Sequence, residues 1–241
     1  MKVRVSVAIP TYNEKDNLQI LIPILMEVFE ANDIDGRVII IDGGSTDGTV
    51  VAAKKLMERY GRMSMIRHPS KLGIGLAYKD GFRCALSLGS DGIVEMDADL
   101  SHNPIFIPKF IERMEEGYDL VIGSRYTIGG GAQNWSFGRR LISMGAVHMA
   151  RSLLGLRTRD VTSGFRAYTS EALDEIRFAD VKSDGYAFQV EMVMRCERAG
   201  LRVCEIPIIF SNRRFGRSKL GIRDIWSFFR TVLDLSMHPS L

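Results

Sequence analysis

The sequence is poor in several things that would narrow its function at once. Its three cysteines, Cys84, Cys196 and Cys204, are odd in number and fit neither a zinc spacing nor a disulfide framework, which points to a reducing compartment. No apolar stretch approaches the roughly 18 residues needed to cross a bilayer. The strand-like pattern begins almost at Met1, so no signal peptide is expected. Net charge is only +3, too little to argue for a nucleic-acid partner. Internal repeats and low-complexity tracts are absent, and the histidines His102 and His148 are isolated, so neither is given a ligand role.

What is present is an ordinary globular composition, 46% hydrophobic and 25% charged over 241 residues, enough to bury a sizeable core. Apolar, β-branched runs alternate with segments of helical period. Strands are expected over Val3–Ile9, Val38–Ile41, Met63–Arg67, the run into Asp97, and Asp119–Gly123. Helices are expected from Leu18 to Phe29, with Pro23 disturbing the early turns, and over Thr49–Arg59, Gly75–Leu88 and Ile105–Glu116. This alternation predicts an α/β fold, a mostly parallel sheet with helices on both faces. Ligands of such sheets sit outside the carboxyl ends of the strands, so the loops of interest are Pro10–Glu14, Asp42–Gly48, Lys71–Gly75, Asp97–Pro104 and the segment from Ser124 onward. From Gly129 the period changes. Gly129–Gly131 reads as a flexible joint, followed by a helix Phe137–Leu154, a strand Phe165–Tyr168, a helix Phe188–Arg198, strands around Val203–Phe210 and a last helix Ile222–Leu235. The expectation is a single domain over 1–241 in two halves, 1–128 and 129–241, the second a C-terminal helical elaboration built on one edge.

The stretch Ile93–Pro104 carries the sharpest chemistry. An apolar run ending in Asp97-Ala98-Asp99 reads as a buried strand that delivers two carboxylates to its end, on one face by their i, i+2 spacing. Two like charges held together invite a divalent cation with oxygen ligands, which keeps positions open for water and phosphate oxygens. The triplet alone also permits a solvated strand end whose acids merely cap the next helix. Asp42, at another strand end and followed by glycines, is placed to accept from a base or ribose, while Ser45 or Asp47 caps the helix behind it. Arg and Lys crowd positions 125 to 230, which suits an anionic ligand or an anionic membrane surface.

Taken in order, Val7-Ala8-Ile9-Pro10-Thr11-Tyr12-Asn13-Glu14, Ile40-Ile41-Asp42-Gly43-Gly44-Ser45-Thr46-Asp47-Gly48-Thr49, Leu72-Gly73-Ile74-Gly75 and Met96-Asp97-Ala98-Asp99 resemble the inverting family 2 glycosyltransferases. Gly123-Ser124-Arg125-Tyr126, Thr162-Ser163-Gly164-Phe165-Arg166 and Gly216-Arg217-Ser218-Lys219-Leu220 are similar to its dolichyl (polyprenyl) phosphate mannose synthase branch. The resemblance covers Val5 to about Leu220 and implies a GT-A, Rossmann-like fold, with 1–128 as the nucleotide-binding half and 129–241 as the acceptor-side and membrane-proximal half. It implies a nucleoside diphosphate sugar held by Pro10, Tyr12, Glu14, Ile41, Asp42, Asp97, Ala98, Asp99, Arg213 and Lys219. It places Mg2+ or Mn2+ on Asp97, Asp99 and Ser101, the acceptor phosphate on Arg125, Arg139 and Ser163, and catalysis on Asp97, Asp99, Arg125 and Arg213. Two positions depart from the pattern: Gly43 stands where the family often has a second acid, and Ser101 where some members carry Gln.

The implied reaction moves a hexose, mannose from GDP-mannose, to dolichyl or polyprenyl phosphate with inversion. Other donors such as UDP-glucose, or a hydroxyl acceptor served by Asp184 as base, stay open, with a structural role expected for Glu191. A metal-dependent phosphohydrolase would place its acidic triplet on an early strand. A non-catalytic subunit would tolerate loss of both aspartates. The apolar positions Ile222, Ile225, Trp226, Phe229, Val232 and Leu233, widened by Phe228 and Leu235, predict a C-terminal helix lying on a membrane surface or against a small membrane-anchoring subunit. That makes the protein a peripheral enzyme on the cytoplasmic face of a membrane.

Overall fold

The computed structural model describes residues 3–133, 135–211 and 222–237. In chain order the first half forms β1 (Arg4–Thr11), α1 (Lys15–Ala31), β2 (Asp35–Asp42), α2 (Thr49–Tyr60), β3 (Met63–Arg67), α3 (Ile74–Ser87), β4 (Gly92–Glu95), α4 (Ile107–Glu115) and β5 (Leu120–Ser124). The second half adds β6 (Gly131–Ala132), α5 (Phe137–Leu154), β7 (Arg166–Thr169), α6 (Ser170–Glu175), α7 (Gly185–Arg198), β8 (Val203–Pro207), β9 (Ile209–Phe210) and α8 (Ile222–Met237).

Seven strands form one sheet in the order β3-β2-β1-β4-β7-β5-β8, and β6 pairs with β9 in a small second one. All pairings of the large sheet are parallel except those of β7, which runs antiparallel to both β4 and β5. The central strands are covered on both faces, which is why they read as near-continuous apolar runs. Their two-residue period sorts the core into layers. Ala8, Ile39 and Ile41 pack with α3, α5, α7 and α8, whereas Val7, Ile9, Val38 and Ile40 pack with α1, α2 and α4.

Four expectations are corrected. Pro23 lies inside an unbroken α1; the backbone bond it lacks would have gone to the carbonyl of Gln19, which is on the exposed side where water can replace it. Gly129–Gly131 is no loose joint, since Gly131 donates to the carbonyl of Ile208 and Gly130 to that of Thr127. The last hundred residues do not elaborate one edge alone: β8 is an edge strand, but β7 is inserted in the middle of the sheet. Finally, β4 ends at Glu95, so Asp97 and Asp99 are not strand residues and the strand argument for a shared face does not apply to them.

Candidate active site

The loops after β1, β2, β4 and β5 open at one edge because those strands are parallel. β7 runs the other way, so the segment Thr162–Phe165 that enters it arrives at that same edge; its Arg166 sits opposite both Glu95 and Ile122. The direction of one short strand thereby brings a piece of the C-terminal half to the site.

The first two loops are stitched together by polar contacts. Asn13 donates its N–H to Ser45 Oγ at 2.9 Å and accepts the Thr46 N–H at 2.9 Å, and Glu14 N–H reaches Thr49 Oγ1 at 2.9 Å. Asp42 is fully buried, and its Oδ2 accepts the N–H groups of Gly44 and Ser45, both at 3.1 Å. Asp47, not Ser45, serves the start of α2, taking the Thr49 N–H at 2.9 Å. Gly44 has φ of 76°, and a Cβ there would lie 2.9 Å from the carbonyl oxygen of Pro69, so this crossing requires glycine. Tyr12 is half-buried and lies under Lys71 Nζ, 5.6 Å from the ring centroid, while Glu14 accepts from Asn17 Nδ2 at 2.6 Å. The Ile41 side chain is in the core, so only its backbone can meet a ligand; the same holds for Ala98.

The turn Met96–Ser101 presents the two acids. Leu100 adopts φ of 64°, and Ser101 N–H bonds Asp99 Oδ1 at 3.0 Å. Asp97 has a side chain 31% exposed, and its Oδ1 accepts from Tyr78 OH at 3.3 Å. Burial, together with the charges of Asp97 and Glu95, pushes the Tyr78 hydroxyl far above its ordinary range and keeps it a donor. The Asp97 N–H is received by His102 Nδ1 at 3.1 Å. Burial holds the His102 ring neutral, against the opposing pull of Asp97 and Asp99, so the proton belongs on Nε2. His102 is a site residue that no motif or spacing in the chain singled out.

Among the described residues no group of three or more His, Cys, Asp or Glu side chains gathers to hold a metal. The donor chemistry of the turn nonetheless fits a hard divalent cation. Two carboxylates are at hand, and the buried hydroxyl of Ser101 has no hydrogen-bond partner among the described residues. Mg2+ needs no more than one or two carboxylates when phosphates and water complete its shell.

Arg125 is placed differently from a phosphate ligand. Its N–H and Nε donate to Asp160 Oδ2 at 2.9 and 2.8 Å, and Nη2 donates to Asp160 Oδ1 at 2.6 Å and to Thr162 Oγ1 at 2.9 Å. The side chain is 8% exposed and that of Asp160 0%. Burial opposes the charged form of Arg125, but the Asp160 carboxylate outweighs it and holds the guanidinium above its ordinary range. Ser163 is likewise turned inward: its hydroxyl donates to the Gly123 carbonyl at 2.6 Å and accepts the Phe165 N–H at 3.3 Å. Arg139 is exposed at the start of α5, with its guanidinium 4.5 Å from the ring centre of Trp135. Arg213 and Lys219, with the whole Gly216–Leu220 motif, lie outside the described residues.

Behind the turn is a buried polar cluster. Gln189 Nε2 donates to Glu95 Oε2 at 2.7 Å, and Arg166 donates to Tyr168 OH at 3.3 Å and to the carbonyls of Gln189, Val161 and Ser163. Glu191 has the structural role expected of it: Oε2 accepts from the N–H and hydroxyl of Ser183, and Oε1 from Arg195 at 2.8 and 3.0 Å. Asp184 Oδ1 accepts the Gly75 N–H at 2.8 Å, capping α3 from across the site.

A mostly parallel α/β sheet that gathers at its carboxyl edge the buried Asp42, a glycine turn, the half-buried Asp97 and the buried Asp99 has the architecture of the GT-A class of glycosyltransferases. Residues 6–177 match glycosyl transferase family 2, and the chain belongs to that family. It is 38% identical over 219 residues to the polyprenol monophosphomannose synthase of Mycolicibacterium smegmatis, covering 90% of this chain and 81% of that one. It is 39% identical over 219 residues to the undecaprenyl-phosphate mannosyltransferase of Micrococcus luteus, covering 91% and 88%. Its fold matches glucosyl-3-phosphoglycerate synthase from Mycobacterium tuberculosis in complex with Mg2+ and uridine diphosphate, with a TM-score of 0.67 at 20% identity over 98% of this chain and 79% of that one.

Proposed function

We propose that this enzyme transfers mannose from GDP-mannose to a polyprenyl (or dolichyl) phosphate, with inversion at the anomeric carbon. The observation that carries the acceptor class is the engagement of the carboxylates a hydroxyl acceptor would need. Glu191 is spent on Ser183 and Arg195, and Asp184 on the start of α3. A phosphate monoester is ionised near neutral pH and needs positioning, not deprotonation. The sugar and the lipid follow the names of the two relatives.

Asp42, Tyr12 and Glu14 would orient the nucleoside at the first two loops, with the backbones of Pro10, Ile41 and Ala98 beside it. Asp97, Asp99 and Ser101 would hold Mg2+ or Mn2+, which when bound neutralises charge on the departing diphosphate. Tyr78 fixes the Asp97 carboxylate by its hydroxyl. Arg125 acts through Asp160, setting the course of the chain that leaves β5, while Arg139 offers its fork to the acceptor phosphate. Arg213 and Lys219 would complete the diphosphate side.

The acceptor is met at a membrane surface. None of the helices among the described residues is long and apolar enough to cross a bilayer. The first half of α5 exposes Phe137, Leu141, Ile142 and Met144 beside Arg139 and Arg140, with Phe137 82% exposed. On α8, Trp226, Arg230, Leu233 and Met237 fall on one exposed line. Phe228, Val232 and Leu235 are buried in the core, so the membrane face of α8 is narrower than the full apolar stripe. The side chains of Ile222 to Ile225 lie outside the described residues. Arginines set among exposed apolar groups suit the headgroup layer of the cytoplasmic leaflet.

The test is incubation with a panel of nucleotide sugars and a short polyprenyl phosphate, with products weighed by mass spectrometry. A mannosyl phosphoprenol formed from GDP-mannose is expected. Transfer only to hydroxyl acceptors, or release of sugar without any acceptor, would overturn the reading.

A further inference from the structure

His102 lies against three parts of the chain that are distant in sequence. Its Nδ1 accepts the Asp97 N–H at 3.1 Å. Its ring stacks on Phe165, just ahead of β7, at 4.9 Å between centroids and 8° between planes. The same ring meets the edge of Phe210, the last residue of β9, at 5.6 Å and 73°. The side chain is 2% exposed, so these contacts leave it little freedom. A second tie joins the same two segments: the Ser211 N–H donates to the Ser101 carbonyl at 3.2 Å.

We propose that His102 is a positioning residue, fixing the Asp97–Asp99 turn for its cation by holding the Asp97 N–H from a ring clamped between β7 and β9. The Met96 N–H still donates to the Ala8 carbonyl of β1 at 3.1 Å, but from Asp97 on the turn has no strand pairing among the described residues, and its Leu100 is in the left-handed region. Tyr78 holds the Asp97 carboxylate itself, while the Asp97 backbone is held by a ring that packs against the C-terminal half. That gives the inserted strand β7 a second duty: it brings Phe165 under the imidazole. The inference rests on the reading that Asp97 and Asp99 hold a divalent cation.

The experiment is Mn2+ binding to the full chain in the presence of GDP, followed by electron paramagnetic resonance, together with thermal melts. Four proteins are compared: wild type, Asp97→Asn, His102→Phe and His102→Asn. Phenylalanine keeps a ring between Phe165 and Phe210 but has no acceptor; asparagine offers an acceptor near the Nδ1 position but no ring. His102→Phe is expected to melt near the wild type while its Mn2+ affinity falls roughly 10- to 100-fold, the loss common for removing a group that orients a metal ligand. His102→Asn is expected to melt lower and keep an affinity close to the wild type. Unchanged affinity in His102→Phe, or affinity that simply tracks the melting temperature in both variants, would overturn the assignment. Equal Mn2+ affinity of wild type and Asp97→Asn would overturn the metal reading itself, and the proposal with it.

Discussion

Truncating Asp160 to alanine tests whether Arg125 is a structural cation. In the native protein three of its donors meet one carboxylate at 2.6 to 2.9 Å. After Asp160→Ala the guanidinium keeps Thr162 Oγ1 and the faces of Tyr126, Trp135 and Phe210, at 5.3, 5.5 and 5.8 Å, but touches no counter-charge among the described residues. Breaking a buried pair by removing one partner costs about 3–5 kcal/mol, because the surviving charge stays desolvated. At about 2–4 °C per kcal/mol for a domain of this size, the melting temperature should fall by about 6–20 °C. Removing the cation as well takes away the penalty, so Arg125→Met/Asp160→Ala should melt above Asp160→Ala alone. Arg125→Lys should fall between wild type and Asp160→Ala, since it keeps the charge and loses the two-pronged geometry. The assay is a double-mutant cycle by urea denaturation and thermal melts. Strict additivity of the single changes Arg125→Met and Asp160→Ala, or an Asp160→Ala protein that melts with the wild type, would refute the argument.

Asp97→Ala and Asp99→Ala should each abolish metal-dependent transfer while leaving the melting temperature near or above that of the wild type in EDTA, because a like charge is removed; transfer retained in both at saturating Mg2+ or Mn2+ would sink the metal assignment. Burial pushes the Glu95 carboxyl from 4.5 up to about 7, with Arg166 and Gln189 offsetting part of the effect and Asp97 adding to it. Between those two values the folded chain keeps a proton that the unfolded chain has released, so this group lowers stability as pH rises and ceases to add further cost above about 7. In EDTA, Glu95→Gln should therefore gain stability over the wild type progressively between pH 4.5 and 7, by about 3 kcal/mol at the upper end; a difference independent of pH would contradict this. Leu141→Asp/Ile142→Asp should weaken flotation with anionic liposomes without lowering the melting temperature, since both side chains are exposed; unchanged flotation would move the membrane contact away from α5.

Most elements of the fold, and the sheet edge where the candidate site lies, are legible in the chain alone. Two-residue and helical periods are local properties of the chain, and they placed β3 and α5 at the residues observed and the other main elements within a few residues. The glycine and proline turns marked the carboxyl edge, because the backbone there needs those residues whatever packs around it. Ordered motifs sufficed for the family. That Arg166–Thr169 runs antiparallel in the middle of the sheet was settled by packing, since a four-residue strand carries no signal of its direction or neighbours. Asp160 gave no hint that it neutralises Arg125, thirty-five residues away, nor His102 that it holds Asp97, nor Ser163 that its hydroxyl faces Gly123. Those are pairings made by burial: a side chain with polar atoms that loses its water must find a partner, and which partner is within reach depends on how the strands are ordered.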